Sequence, residues 1–164
     1  MSSPFALPST WDAVVGPYDQ HLTPVFGEFA ERALALARAS AGDRLLDVAA
    51  GPGTLALRAA LYADVATIDF SPEMVARLRV NAAARGLDVD AREGDGQALP
   101  WADGTFDATF SMFGLIFFPD PAKGLAEMAR VTRPGGRVTV SSWRPMDPRL
   151  QAVVQVLAEK LGMP

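Results

Sequence analysis

The stretch Leu45-Leu46-Asp47-Val48-Ala49-Ala50-Gly51-Pro52-Gly53-Thr54-Leu55 decides how this chain folds. It begins as a short β-type run with an acid near its end. A tight turn of small residues follows, and then an alanine-rich helical stretch from Leu55 to Leu61. Strand, turn and helix in that order are the first unit of an α/β nucleotide-binding fold. The turn needs small residues because a ligand must approach bare backbone, and a Cβ at Gly51 or Gly53 would obstruct it.

Working outward, Val25, Phe26, Phe29, Ala33, Leu36 and Ala37 recur at helical spacing between charged positions, which predicts an amphipathic helix from about Pro24 to Ala39. Residues 1–24 hold several prolines with Trp11, Tyr18 and His21, and are expected to form an irregular arm ahead of a domain at 25–164. Downstream, Asp64 to Phe70 predicts a second strand. Ser71-Pro72-Glu73 is a helix start, with serine as cap, proline at the first position and an acid at the positive end of the dipole. A third strand is expected at Val89–Arg92 and a fourth, apolar on both faces, at Phe106–Met112. A helix at Pro119–Val131, a turn at Arg133-Pro134-Gly135-Gly136, a fifth strand at Arg137–Trp143 and a last amphipathic helix at Asp147–Leu161 complete the pattern. Strands alternating with helices predict one doubly wound α/β domain with a parallel sheet.

Composition narrows the chemistry. The 164 residues suit one domain with its own core. No cysteine and one histidine leave no disulfide or thiolate site and argue against histidine-bound zinc, so no metal is expected. A net charge of −4 argues against a nucleic-acid partner, and no apolar run is long enough to cross a bilayer. Met1 to Pro8 lacks a basic region followed by an apolar one, so a cytoplasmic domain handling a small molecule is expected.

Asp47, Asp69 and Asp95 fall at or just beyond the predicted ends of strands one, two and three. In a parallel sheet those ends share an edge, so the three carboxylates ring one crevice. An acid ending the second strand can accept both hydroxyls of a ribose. An acid after the third can accept from an exocyclic amine such as that of adenine, and Phe70 can lie against a purine face.

With Leu45–Leu57, Ile68–Met74, Gly94–Asp107 and Leu125–Val140 in order, the chain resembles class I S-adenosylmethionine-dependent methyltransferases. It is most similar to the small-molecule group containing the ubiquinone/menaquinone C-methyltransferases. Ala49 stands where that family usually has glycine. The resemblance implies S-adenosyl-L-methionine as cofactor and a small-molecule methyl acceptor. It implies that Gly51, with Ala49 and Gly53, faces the methionine part, and that Asp47 supports the loop. Asp69 would hold the ribose, Phe70 would pack on adenine, and Asp95 and the Gly96 amide would read its edge. Met74 and Gln97 belong to the same set. Ser111 and Met112 would line the pocket near the sulfonium, and Tyr18 would close over the cofactor. His21 is the one candidate for a catalytic base, and Trp101, Met112, Phe113, Phe117 and Phe118 are candidates for an apolar acceptor wall.

The family that the chain resembles has a sheet of seven strands, and here strands six and seven are expected to be missing. A Rossmann-like sheet of about five strands is therefore expected, C-terminally truncated and holding mainly the cofactor-binding part. An exposed fifth strand or the last helix would offer a homodimer contact. Two other functions stay open. One is a non-catalytic cofactor-binding remnant or association domain. The other is an NAD(P)-dependent oxidoreductase, because Gly51-Pro52-Gly53-Thr54-Leu55-Ala56 fits G-x-G-x-x-A. That fingerprint leaves Asp47 and Asp95 unexplained.

Overall fold

The computed structural model describes residues 4–144. Five strands, β1 (Arg44–Val48), β2 (Asp64–Asp69), β3 (Asp90–Glu93), β4 (Phe106–Met112) and β5 (Thr132–Ser141), form one sheet in the order β3-β2-β1-β4-β5. Every neighbouring pair is parallel. The chain runs from β1 outward to β2 and β3, then returns to place β4 on the other side of β1. The order thus reverses between β1 and β4, where an open α/β sheet parts to make a crevice.

Helices cover both faces, which is why the central strands β1, β2 and β4 carry buried apolar residues on both of their faces. Leu45, Val65, Ala108 and Phe110 pack against α3 (Thr23–Ala37) and α4 (Ala56–Ala59). On the opposite face Leu46, Val48, Ala66 and Ile68 meet Leu99, Trp101, Phe106 and α6 (Pro121–Val131). Leu45, Leu46, Val48, Val65 and Ile68 are at most 1% exposed. Burial of each contributes roughly 1.5–3 kcal/mol. Helix α5 (Pro72–Ala83) lays Val75 and Leu78 against Ala50 and Ala91. Its cap is the expected one: Ser71 Oγ accepts from the Met74 amide at 3.1 Å.

Three elements differ from expectation. The arm is largely helical, with short helices α1 (Pro8–Asp12) and α2 (Val15–Pro17) and a π-helical turn at Tyr18–Leu22 running directly into α3. Pro8 and Pro24 stand in the first turns of α1 and α3, where proline is favoured, and tertiary anchors hold the arm in place. Asp12 Oδ1 accepts from Ser71 Oγ at 2.6 Å, and Asp19 accepts from Asn81 Nδ2 at 3.2 Å. The helix after the glycine turn shrinks to Ala56–Ala59. The fifth strand begins early, because Thr132 already pairs with Phe106 and Arg137 next pairs with Ala108. Residues 133–136 therefore bulge opposite the single residue Asp107, so the expected turn exists as an insertion inside the ladder. The helix expected at Asp147–Leu161 lies outside the described residues.

Candidate functional site

At the C-terminal edge of the sheet lies a cavity of about 960 Å³. Its floor is made by the segments leaving β1, β2, β3 and β4, and the arm roofs it. Ala49, Gly51, Asp69, Phe70, Met74, Asp95, Gly96, Gln97 and Met112 line it, with Tyr18 and His21 contributed from the arm.

The first turn is built around Asp69. Its Oδ2 accepts from the Gly51 amide at 2.8 Å and its Oδ1 from the Ser71 amide at 2.9 Å. One carboxylate thus ties the glycine turn after β1 to the exit of β2. Burial raises the Asp69 pKa to about 6, against the opposing pull of the Ser71 and Gly51 amides. Tyr18 sits over this acid. Its own pKa is pushed up to about 12, first by burial and then by the carboxylates of Asp69 and Asp47.

The loop after β3 is shaped by its own acid. Asp95 Oδ1 accepts from the Gln97 amide at 2.8 Å and from Gln97 Nε2 at 3.0 Å. Gln97 Oε1 in turn accepts from the Asp120 amide at 2.9 Å, so the loop is joined to the start of α6. The lining contains Asp69 and Asp95 and, among the described residues, no lysine or arginine. Such a wall favours a ligand carrying hydroxyls, amines or positive charge.

Three residues of the expected set do not line the cavity. Ser111 is fully buried, and its hydroxyl accepts from the Leu115 amide at 3.1 Å, which holds the bend after β4. Gly53 faces inward, where an added Cβ would stand 2.9 Å from Leu57 Cγ and 3.1 Å from Leu78 Cγ. Asp47 is 2% exposed, within β1 and below the turn. Burial raises its pKa to about 8, its Oδ1 has no hydrogen-bond partner, and the Ala56 amide favours its charged form. From the expected acceptor wall, Trp101 is also absent. It packs edge-on to Phe106 at 5.4 Å, with the Arg92 guanidinium 4.8 Å from its ring centre.

Gly51 and Gly53 both have positive φ, at 55° and 97°, but face different surroundings. A Cβ on Gly51 would meet nothing nearer than Tyr18 Cε1 at 4.0 Å. Gly51→Ala is therefore expected to fold, losing about 1–2 kcal/mol to its left-handed backbone, while placing a methyl group in the cavity. Gly53→Ala adds a collision inside the core to the same strain and is expected to cost more stability. Melting curves of the two variants, each with and without cofactor, test this. Equal losses of stability would contradict it.

Much of the roof comes from residues outside the expected set. Trp11, Leu22, Phe26 and Trp143 all line the cavity. A succession of ring contacts runs from Trp11 to Tyr18 at 6.3 Å, Tyr18 to Phe26 at 6.2 Å, Phe26 to Phe113 at 5.0 Å and Phe113 to Trp143 at 4.4 Å. The available signal was the four-residue spacing of Tyr18, Leu22 and Phe26, a helical stripe that was divided between arm and helix.

Residues 46–140 match the family model described as a methyltransferase domain. The chain belongs to the methyltransferase-domain family. An uncharacterized protein of Mycobacterium bovis is 43% identical over 105 residues, covering 63% of this chain and 38% of that one. The demethylmenaquinone methyltransferase of Thermus thermophilus is 46% identical over 117 residues, covering 70% of this chain and 53% of that enzyme. This methyltransferase domain thus spans about two fifths to a half of the length of these relatives. Among solved structures, the YcgJ protein from Bacillus subtilis superimposes with a TM-score of 0.65 and 31% identity, covering 77% of this chain and 57% of that one. No helix among the described residues is long and apolar enough to cross a membrane.

Proposed function

We propose that this domain binds S-adenosyl-L-methionine and presents its methyl group to a small, largely apolar acceptor. The observation that carries the proposal is the joint placement of the Gly51 turn, Asp69 and the Asp95–Gln97 loop around one cavity. The donor set fits the cofactor. Two carboxylates suit its hydroxyls and its purine amine, the lining holds among the described residues no lysine or arginine to repel its sulfonium and ammonium charges, and the open space at Gly51 leaves backbone exposed for its methionine part. Asp69 would accept from the ribose hydroxyls, with Phe70 beside the purine and Asp95 and the Gly96 amide at its edge. Gly53, Ser111 and Asp47 would serve by holding the turn and the bend in shape.

The cofactor supplies an already activated methyl group, so the protein's task is alignment and exclusion of water. The aromatic roof does both. Trp11, Phe26, Phe113 and Trp143 offer ring faces and no competing nucleophile, which suits an acceptor with a flat apolar part. The similarity to a demethylmenaquinone methyltransferase supports a cyclic acceptor of that kind. His21 lines the arm side and is the group available to take a proton from an acceptor that must lose one. We place the protein in solution in the cytoplasm, without a nucleic-acid partner, and expect copies to associate through β5, on whose face Val138 and Val140 are exposed.

Calorimetric titration with S-adenosylmethionine, S-adenosylhomocysteine and NAD tests the proposal. Binding of the first two and none of NAD is expected. NAD binding in their place would move the domain to the dinucleotide-dependent oxidoreductases. Binding with no transfer to any of a panel of quinol-like and phenolic acceptors would limit its role to holding cofactor.

A further inference from the structure

The loop from Gly94 to Thr105 has no strand or helix to fix it, yet it carries Asp95, Gly96 and Gln97 into the cavity. Its far half is held by two side chains of α6 that do not line the cavity. Glu127 Oε2 accepts from the Leu99 amide at 2.8 Å. Arg130 Nη2 donates to the Leu99 carbonyl at 2.9 Å, and Nη1 donates to the Trp101 carbonyl at 2.8 Å and to Asp103 Oδ1 at 2.9 Å. The two side chains also hold each other, with Arg130 Nε 2.6 Å from Glu127 Oε1 and Nη2 2.8 Å from Oε2. The Arg130 carbonyl accepts from the Gly104 amide at 2.9 Å, closing the far end of the loop.

This is a planar fork used at full capacity. One guanidinium grips a carboxylate with two parallel bonds while its remaining donors take two carbonyls of the same loop, a task an ammonium group cannot reproduce. A segment of this length without internal ladders would otherwise sample many conformations. The near half is tethered separately, by Gln97 Oε1 to the Asp120 amide and by the Gly94 amide to the Asp69 carbonyl at 2.9 Å, and neither bond reaches the far half.

We propose that Glu127 and Arg130 are positioning residues that set how strictly the domain reads the purine edge of its cofactor, by fixing the loop that carries Asp95 and Gly96. The proposal rests on S-adenosylmethionine being that cofactor. Asp95 and the Gly96 amide discriminate an amine from a carbonyl on the purine only if the loop holds them within hydrogen-bond distance at the correct angle. A loop released at Leu99 and Trp101 still closes over the ring but no longer selects its edge.

The test compares affinities for S-adenosylhomocysteine and its inosine counterpart, S-inosylhomocysteine, which presents a carbonyl where adenine has an amine. Both are titrated into the full chain and its Arg130→Met, Arg130→Lys and Glu127→Gln variants. The parent is expected to prefer the adenine ligand by about tenfold or more, as befits a hydrogen bond to a charged group. That preference should fall to about two- to threefold in Arg130→Met and lie between the two in Arg130→Lys. A purely structural role would lower the melting temperature and leave the ratio of the two affinities in the folded protein unchanged. That outcome overturns the proposal, as does a parent that binds the adenine ligand without preferring it. If Arg130→Met does not fold, Glu127→Gln decides, since it keeps an acceptor for Leu99 and weakens the grip on Arg130. A parent that binds neither ligand instead refutes the cofactor reading itself, and this inference falls with it.

Discussion

Asp69→Asn is expected to weaken binding of S-adenosylhomocysteine by about 1.5–3 kcal/mol, the range for a hydrogen bond to a charged group, or roughly 10- to 150-fold. The carboxylate accepts from the Gly51 and Ser71 amides, one on each oxygen. An asparagine can satisfy only one of them and must turn its own NH₂ toward the other. The variant thus loses charge at the ribose position and one bond shaping the turn. Calorimetry on the folded variant checks the effect, with a melting curve to show that the protein is intact. Unchanged affinity would remove Asp69 from the cofactor's path. The loss should shrink as pH falls below about 6, because there the parent carboxylate is itself protonated.

Asp47→Asn should act on stability. Burial raises the Asp47 pKa from 3.8 to about 8, so the folded chain prefers the protonated acid while the unfolded chain readily ionises it. The contribution of this group is therefore fully present below pH 3.8 and is lost as pH rises through about 8. Asp69, raised to about 6, acts in the same direction over the lower part of that window. Asparagine keeps the shape and an acceptor for the Ala56 amide but cannot ionise. The variant should match the parent near pH 4, exceed it by on the order of 5 kcal/mol near pH 9, and show a flatter dependence of Tm on pH. A parent no less stable at pH 9 than at pH 5, with an unaltered profile in the variant, would contradict this account.

The doubly wound sheet was legible because its signals are local. An apolar run ending in Asp47, the Ser71-Pro72 cap and the glycine-broken spacing each act within a few residues. For the same reason Asp69 and Asp95 could be placed at one edge, since neighbouring parallel strands present their ends together. What stayed hidden depends on contacts distant in sequence. Asp12 reaches Ser71 across 59 positions and Asp19 reaches Asn81 across 62, and no local pattern announces either bond. Trp101 is one of the aromatic and apolar candidates for an acceptor wall, but it packs into the core against Phe106. Its carbonyl accepts from Arg130 Nη1, and its ring lies against Phe106 and beneath the Arg92 guanidinium, contacts distant in sequence or across strands. Ser111 and Gly53 had suitable identities for a pocket, but the bend at Leu115 and the packing of Leu57 and Leu78 require them elsewhere.

Ala49 and Phe113 both take the left-handed backbone, at φ 57° and 60°, immediately after the two central strands. Each costs about 1–2 kcal/mol, and each is fastened to a neighbouring strand, Ala49 by the Ile68 carbonyl at 2.8 Å and Phe113 by the Ser141 hydroxyl at 2.9 Å. A Cβ on Gly114 would collide with that of Ala49, so the two kinks abut. The turns that leave β1 and β4 at the crevice are thus fixed by strained residues fastened to their neighbours. An arriving molecule need not shape its own berth, and more of its contact energy is left to register as affinity.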